Sequence, residues 1–294
     1  MGTEAQFGKL NTEVLIMAFY SGSRINTNVG ALNAFNSLNN INGKMGIVQM
    51  RLASGKRINS SADDPAGYTL AKKLNARSRA LSQASNNVGE MKNILSVAEG
   101  GLATINDIYV GIKEKFIQAS NGSYSQEEVN ALATQINDML DEVDDIIAQT
   151  KFNGSQLLDN NFTGRSFQIG ADSGETVSVT LGANIDSAAL SLTGIASTHT
   201  ATQFTNLIAS IDTAVSTVSL ELQYVGSLSN RLDVKESNLQ TAITNSEAAQ
   251  SRIMDADMAK EQLEATKLQI LQQTATTQLA QANTAPQNIL QLFR

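Results

Sequence analysis

The sequence predicts a mainly α fold: long antiparallel coiled-coil rods, one small β-hairpin region, and amino- and carboxy-terminal helices paired at one end. Three observations predict it. Leu81, Val88, Leu95, Leu102, Tyr109 and Phe116 recur every seven residues, and Ala84, Met91, Ala98, Ile105 and Ile112 fill the alternate seam positions, which is five unbroken heptads. Residues 25–43 and 268–293 contain no charged residue, the first carrying seven Asn and the second seven Gln. The 294 residues include only 2 Pro and no Trp, and aromatics make up 5%, so helix breakers are scarce and a bulky globular core is not expected.

The elements follow in order. Residues 1–23 hold a seven-residue apolar run at 14–20, but Glu4 and Glu13 beside a single Lys9 do not make a secretory signal, and the segment reads as an extra leader or a misassigned start. Ala31, Ala34, Leu38, Ile41, Met45, Val48 and Leu52 follow a 3-4 rhythm and predict one helix. Residues 53–64 break it, and Asp64 before Pro65 is an N-cap with proline at the first helical position. The heptad rod then runs to Asn121-Gly122. Ser125 and Glu128 form a capping box that opens a helix with Val129, Leu132, Ile136, Met139, Val143 and Ile146 inward. Residues 166–169 and 176–181 alternate with period two around Gly170–Gly174 and predict a β-hairpin. Residues 185–202 are Ser/Thr/Ala-rich and read as an exposed loop or cap. Ile208, Ile211, Val215, Val218, Leu222 and Val225 restart a helical rhythm that continues, with phase slips, to Leu271.

An uncharged helix surface is unusual in water, and the amides are too many for a membrane span. The two ends therefore bury amide-rich faces against each other and against further copies of the chain, through the residues of the first rhythm and through Leu268, Leu271, Leu279, Ile289, Leu290 and Leu292. The net charge of −7 hides a split: residues 24–80 carry 9 Lys/Arg and 2 Asp/Glu, residues 81–150 carry 3 and 11. Between Lys44 and Arg79 the only aromatic residue is Tyr68, too few to interleave with the basic positions, so the pattern points to a basic face meeting an acidic one on a neighbouring segment or subunit and not to nucleic acid.

Nothing in the chain has the spacing of a catalytic or metal site. Cysteine is absent, which excludes disulfides and thiolate zinc. His199 is the only histidine, so no HExxH motif or Ser-His-Asp set is possible. Adjacent residues on a helix point apart, so Asp63-Asp64 and Asp144-Asp145 read as helix cap and charged surface, and Asp255-Ala-Asp257 lacks the glycine and distal glutamate of a calcium loop. Four N-x-S/T sequons, at Asn59, Asn121, Asn153 and Asn161, are the chance yield of an Asn/Ser-rich chain. No enzyme and no cofactor are expected.

Several longer motifs resemble bacterial flagellin. RINTNV at 24–29 and RLASGKRINSSADDPAG at 51–67 resemble its amino-terminal signature. QTKFNG at 149–154 and QIGA at 168–171 resemble the segments that enter and form its β-hairpin. SRIMDAD at 251–257, QILQQ at 269–273 and AQANTAPQNILQLFR at 280–294 resemble its carboxy-terminal signature. The resemblance covers 24–190 and about 204–294. It implies a structural subunit that is exported unfolded through the type III apparatus with a chaperone, and that polymerises under a cap protein into an extracellular filament for motility. Junction proteins would be further partners. The implied layout is an extra segment (1–23), an inner-tube helix and spoke (24–64), rod helices and hairpin (65–182), a short outer loop (183–203) in place of the family's large variable domains, a returning rod helix (204–256) and a second inner-tube helix (257–294). A hook–filament junction protein shares the terminal architecture and is the alternative. Flagellins that carry a metallopeptidase do so in the variable region, which here is short and has no HExxH. The resemblance also implies an innate-receptor surface on the rod, from which this chain departs: Gly111 stands where the family has an arginine and Lys115 where it has a leucine, with Glu114 between.

Overall fold

The structure, a computed structural model, describes residues 27–160, 162–182, 185–188, 192 and 201–292, with backbone only at 201–202 and 285–292. The expectations for residues 1–23, for His199 and for the side chains of Ile289, Leu290 and Leu292 fall outside the described residues. Among the described residues there are five helices and four short strands, in the order α1 (Val29–Ser54), α2 (Pro65–Ala119), α3 (Gln126–Gln149), β1 (Lys151–Phe152), β2 (Ser155–Gln156), β3 (Arg165–Gln168), β4 (Thr176–Val179), α4 (Ala201–Met254) and α5 (Met258–Leu292). The fold is mainly α, as the periodicity predicts. The chain divides into two units, Met1–Lys73 with Ala249–Arg294, and Leu74–Ala248.

In the second unit every residue of the heptad seam is buried, from Leu81 through Val88, Met91, Leu95, Leu102, Ile105, Tyr109 and Ile112 to Phe116. The opposing stripe on α4 is Ile211, Ala214, Val218, Val225, Leu228, Leu232, Leu239 and Ile243. Ion pairs and one hydrogen bond flank the seam in antiparallel register: Lys113 meets Asp212, Lys92 meets Asp233 at 2.6 Å and Glu236 at 3.0 Å, and the Ser78 hydroxyl donates to Glu247 at 3.2 Å. Phe116 packs on Phe204 with ring centroids 6.1 Å apart.

The capping box of α3 forms reciprocally: the Ser125 N–H donates to Glu128 Oε2 at 2.7 Å and the Glu128 N–H to Ser125 Oγ at 3.4 Å. The buried stripe behind it is Leu132, Ala133, Ile136, Leu140, Val143 and Ile147. Met139 and Ile146, expected to point inward, are only half-buried at its edge, as is Val129. Two adjacent apolar pairs, 139/140 and 146/147, offer two possible faces, and the packing partner selects the second of each pair.

β3 and β4 form the expected antiparallel hairpin, from Arg165 opposite Val179 to Gln168 opposite Thr176. A second, smaller hairpin pairs Lys151 with Gln156 and Phe152 with Ser155. Its two-residue turn has positive φ at both Asn153 (49°) and Gly154 (82°), which is the geometry an Asn-Gly pair favours. Gly182 combines a φ of 76° with an approach in which a Cβ would come within 2.5 Å of the Leu158 backbone, so only glycine fits there.

The exposed loop expected at 185–202 needs correction at its start. Ile185, Ser187 and Leu192 are buried. The Ser187 N–H and hydroxyl both donate to the Asp144 carboxylate, at 3.1 and 2.5 Å, and the Tyr109 hydroxyl donates to the Ile185 carbonyl at 2.7 Å. Burial, then the nearby Asp144 and Asp186 charges, raises the Tyr109 pKa above the ordinary phenol range. A Ser/Thr/Ala composition hides these anchors, because their partners lie on α2 and α3.

The helical rhythm expected to run on to Leu271 is also interrupted. α4 ends at Met254 and α5 begins at Met258. At the break Lys56 bridges Asp255 in antiparallel register, the Arg57 N–H donates to the Met254 carbonyl at 2.6 Å, and the Ala256 N–H donates to the Gly55 carbonyl at 2.9 Å. Asp257 caps α5 by accepting from the Ala259 and Lys260 N–H groups at 3.0 and 3.2 Å. Gly55, at φ 69°, ends α1 at the same level.

Candidate assembly surface

α1 starts where Asn28 Oδ1 accepts from the Ala31 N–H at 3.0 Å, the cap that frees the helix from needing a charged first turn. Its pairing with α5 in the first unit is held by a narrow seam. Met45, Val48, Ala265 and Leu268 are buried together, with Ile41 and Leu52 packed against them. Polar ties run along the same line: Asn28 Nδ2 to the Ala282 carbonyl at 2.6 Å, Gln272 Nε2 to Asn42 Oδ1 at 2.8 Å, and Arg51 to Glu261 at 3.4 Å. The partner numbers fall as the α1 numbers rise, so the helices are antiparallel.

Ala31, Ala34 and Leu38 are half-buried on the seam side, as is Leu279. Leu271 faces away, 41% exposed. The α5 stripe that does turn inward passes through Ala265, Leu268, Gln272, Ala275, Leu279 and Ala282. Ala265 and Ala275 are buried positions that sequence reasoning missed, because alanine carries little signal in an Ala-rich helix.

Outside the seam lies the unusual surface. Leu32 and Phe35 are exposed on α1, Leu32 to 54%, followed by Ile47 and Met50. On α5, Leu263 is 73% and Ile270 59% exposed beside Leu271. The only charges on α1 are Lys44 and Arg51, and α5 has none beyond Lys267. Each such side chain would gain about 1.5–3 kcal/mol on full burial. Large exposed apolar side chains repeated along two charge-poor helices mark a candidate interaction surface.

The turn end of this unit is ionic. Arg51, Arg57, Arg252 and Lys260 alternate with Asp255, Asp257, Glu261 and Glu264 around a cleft of about 610 Å³. The Arg57 guanidinium donates to the Ile253 carbonyl at 2.8 Å. Asp63 holds the following loop by accepting from the Ser60 and Asn59 N–H groups at 2.9 and 3.0 Å, and these bonds, Ser60 first, lower its pKa. Asp64 Oδ1 accepts from the Gly67 N–H at 3.0 Å and caps α2, while a Cβ at Gly67 would meet the Asp64 carboxylate and Ile58. The basic stretch thus finds some of its partners within the chain, at Glu261 for Arg51 and Asp172 for Arg77.

On the rod, Glu114 is exposed and Lys115 half-buried. Gly111 is turned toward α3, where a Cβ would meet Met139 Cε at 3.0 Å. Among the described residues there is no group of three or more His, Cys, Asp or Glu that could hold a metal, and no helix is long and apolar enough to cross a membrane.

Comparison with known proteins agrees with this architecture. Residues 25–163 match the family model for the bacterial flagellin N-terminal helical region, and residues 208–293 match that for the C-terminal helical region. A flagellin of Halalkalibacterium halodurans is 37% identical over 275 residues, covering 92% of this chain and 99% of that protein. The flagellin of Bacillus subtilis is 34% identical over 307 residues, covering 92% and 100%. A putative flagellar hook-associated protein from Vibrio parahaemolyticus superposes with a TM-score of 0.51 over 66% of this chain and 100% of that one; at 15% identity this likeness concerns the fold alone. With both terminal regions matched and relatives aligned over nearly their whole length, the chain belongs to the bacterial flagellin family.

Proposed function

We propose that this chain is the structural subunit of a bacterial flagellar filament, polymerising through the outward faces of α1 and α5. The observation that carries the reading is the charge-poor helix pair whose seam buries only one stripe of each helix and leaves Leu32, Phe35, Ile47, Leu263 and Ile270 exposed. Two unlike apolar faces on one subunit favour a heterologous contact, and such contacts make open helical polymers unless the rotation closes. Deleting 268–294 tests this. The truncated chain keeps the whole seam of the second unit, so it stays helical by circular dichroism, and it forms no filaments after seeding. Normal filaments from that chain would overturn the reading.

The same proposal extends to layout and partners. Residues 24–64 and 257–294 serve as the inner-tube segments, 65–182 and 204–256 as the rod, and 183–203 as a short outer loop. The filament is extracellular, and its subunits reach it through the type III export apparatus with a chaperone, under a cap protein and next to junction proteins. The chain acts as a structural element and not as an enzyme.

Activation of the innate receptor is weak in this reading. Glycine at 111 supplies none of the planar donors of an arginine, and interface energy concentrates in such anchors. Gly111 also lies against Met139, so the side chain of a Gly111→Arg variant has to displace that methionine. A reporter-cell assay on the wild type and on Gly111→Arg/Lys115→Leu checks this, with low signal from the first and a gain from the second. Strong signalling by the wild type would mean that other contacts serve.

A further inference from the structure

The chain contains three Asn-Gly pairs, at Asn42-Gly43, Asn121-Gly122 and Asn153-Gly154. The fold treats them differently. Asn42 lies inside α1, where the Gly43 N–H belongs to the helical ladder, and its Oδ1 is held by Gln272 at 2.8 Å. Asn153 is locked at φ 49° in a two-residue turn between paired strands. Asn121 and Gly122 are exposed in the open connection between α2 and α3. The Gly122 N–H donates to no group among the described residues, so its nitrogen is free to act on the neighbouring side chain. The Ser123 N–H donates to Asn121 Oδ1 at 3.3 Å.

We propose that Asn121-Gly122 is a built-in site of spontaneous deamidation, selected by the fold from among three chemically equivalent pairs. The Gly122 nitrogen loses its proton to water and bonds to Asn121 Cγ. The Cγ–Nδ2 bond breaks, and the side-chain nitrogen leaves as ammonia with a proton from solvent. Water then opens the succinimide at either carbonyl, giving an aspartyl or isoaspartyl residue at 121. Negative charge develops on Oδ1 in the addition step, and the Ser123 N–H already points at that atom, as a donor in an oxyanion site does. A Cβ built at 122 meets nothing within 4 Å beyond the two flanking residues, and the backbone is not left-handed. The fold therefore does not require glycine at 122, unlike at 154, where φ is 82°. The product charge lies exposed in the connection between the two helices, outside both hydrogen-bonded ladders, so conversion marks the chain without unfolding it.

The test uses the full-length, unpolymerised chain held at mildly alkaline pH, with a parallel sample in denaturant, and reads each Asn-Gly peptide by mass and by isoaspartyl-specific methyl labelling. In denaturant all three pairs convert. In the folded chain the peptide containing 121 gains the amide-to-acid mass difference and the isoaspartyl label, while those containing 42 and 153 stay amidated. Gly122→Ala, which circular dichroism checks for an unchanged fold, converts at 121 at least several-fold more slowly. Retention of the amide at 121 over the time in which the denatured chain converts would overturn the proposal. So would equal conversion at 42 or 153 in the folded chain, or unchanged conversion in Gly122→Ala. None of these outcomes depends on whether the chain forms filaments.

Discussion

Asp144 accepts both polar hydrogens that Ser187 offers, and Ser187 is almost wholly buried. Removing the carboxylate leaves a buried N–H and hydroxyl without partners, and a hydrogen bond to a charged group contributes about 1.5–3 kcal/mol. Asp144→Ala should lower the denaturant midpoint by a corresponding amount with an unchanged slope, whereas Asp145→Ala, one residue away on an exposed position, should leave it within experimental error. Glu128 is the second residue-scale case. The Ser125 N–H, then the Ser125 hydroxyl, lowers its pKa from the usual 4.5. A depressed carboxyl pKa means that the capping bond stabilises the fold fully above 4.5 and loses that contribution as pH falls through the folded value. Titration of the Glu128 carboxyl by NMR should show a midpoint below 4.5 in the folded chain, returning upward in Ser125→Pro, which lacks the donor N–H. These two carboxylates also show what a sequence reveals. The Ser125–Glu128 box is local and was readable at three residues' spacing. Asp144 looked like half of an acidic surface pair, since its partner lies 43 residues on in a run of Ser, Thr and Ala.

Whole elements divide the same way. The seam of α2 was legible to the residue, because five heptads leave only one face to bury. The choice between Met139 and Leu140 on α3 was not, because the sequence offers both faces and the packing partner selects one. The apolar rhythm alone does not show the break between α4 and α5, because it resumes on the far side, whereas the layout implied by the family resemblance divides the chain at 256/257. What marks it is Asp257 as an N-cap and Gly55 as a left-handed C-cap, about 200 residues apart and tied together through the Lys56–Asp255 bridge. Both caps should be needed for the joint. Asp257→Ala should cost about 0.5–2 kcal/mol, as loss of an N-cap does. Gly55→Ala should cost roughly 1–2 kcal/mol, the penalty of a Cβ in left-handed backbone. Since the two positions flank one bridge, the double variant should fall short of the sum, as neighbouring sites do. Strict additivity in urea unfolding would show that the caps act on separate helices and not on one joint.

At the scale of the molecule, the question is why a chain keeps large apolar residues in water on two helices that are each uncharged over much of their length. The seam between α1 and α5 does not need them: Leu32 and Ile270 contribute almost nothing to it, being more than half exposed. Surface substitutions at such positions usually change monomer stability by no more than about 0.5 kcal/mol. Burying a carboxylate in an apolar contact without a partner costs far more than that. Leu32→Glu and Ile270→Glu should therefore separate folding from assembly. Each variant should retain the wild-type helix content and unfolding midpoint as a soluble subunit, yet fail to elongate seeds. Leu268→Glu is the contrasting case, because Leu268 sits in the seam, and that variant should lose helix content in the terminal pair as well as assembly. If Leu32→Glu and Ile270→Glu elongate seeds at the wild-type rate, the exposed faces are not the contacts between subunits. The uncharged composition of both ends would then need a different physical cause.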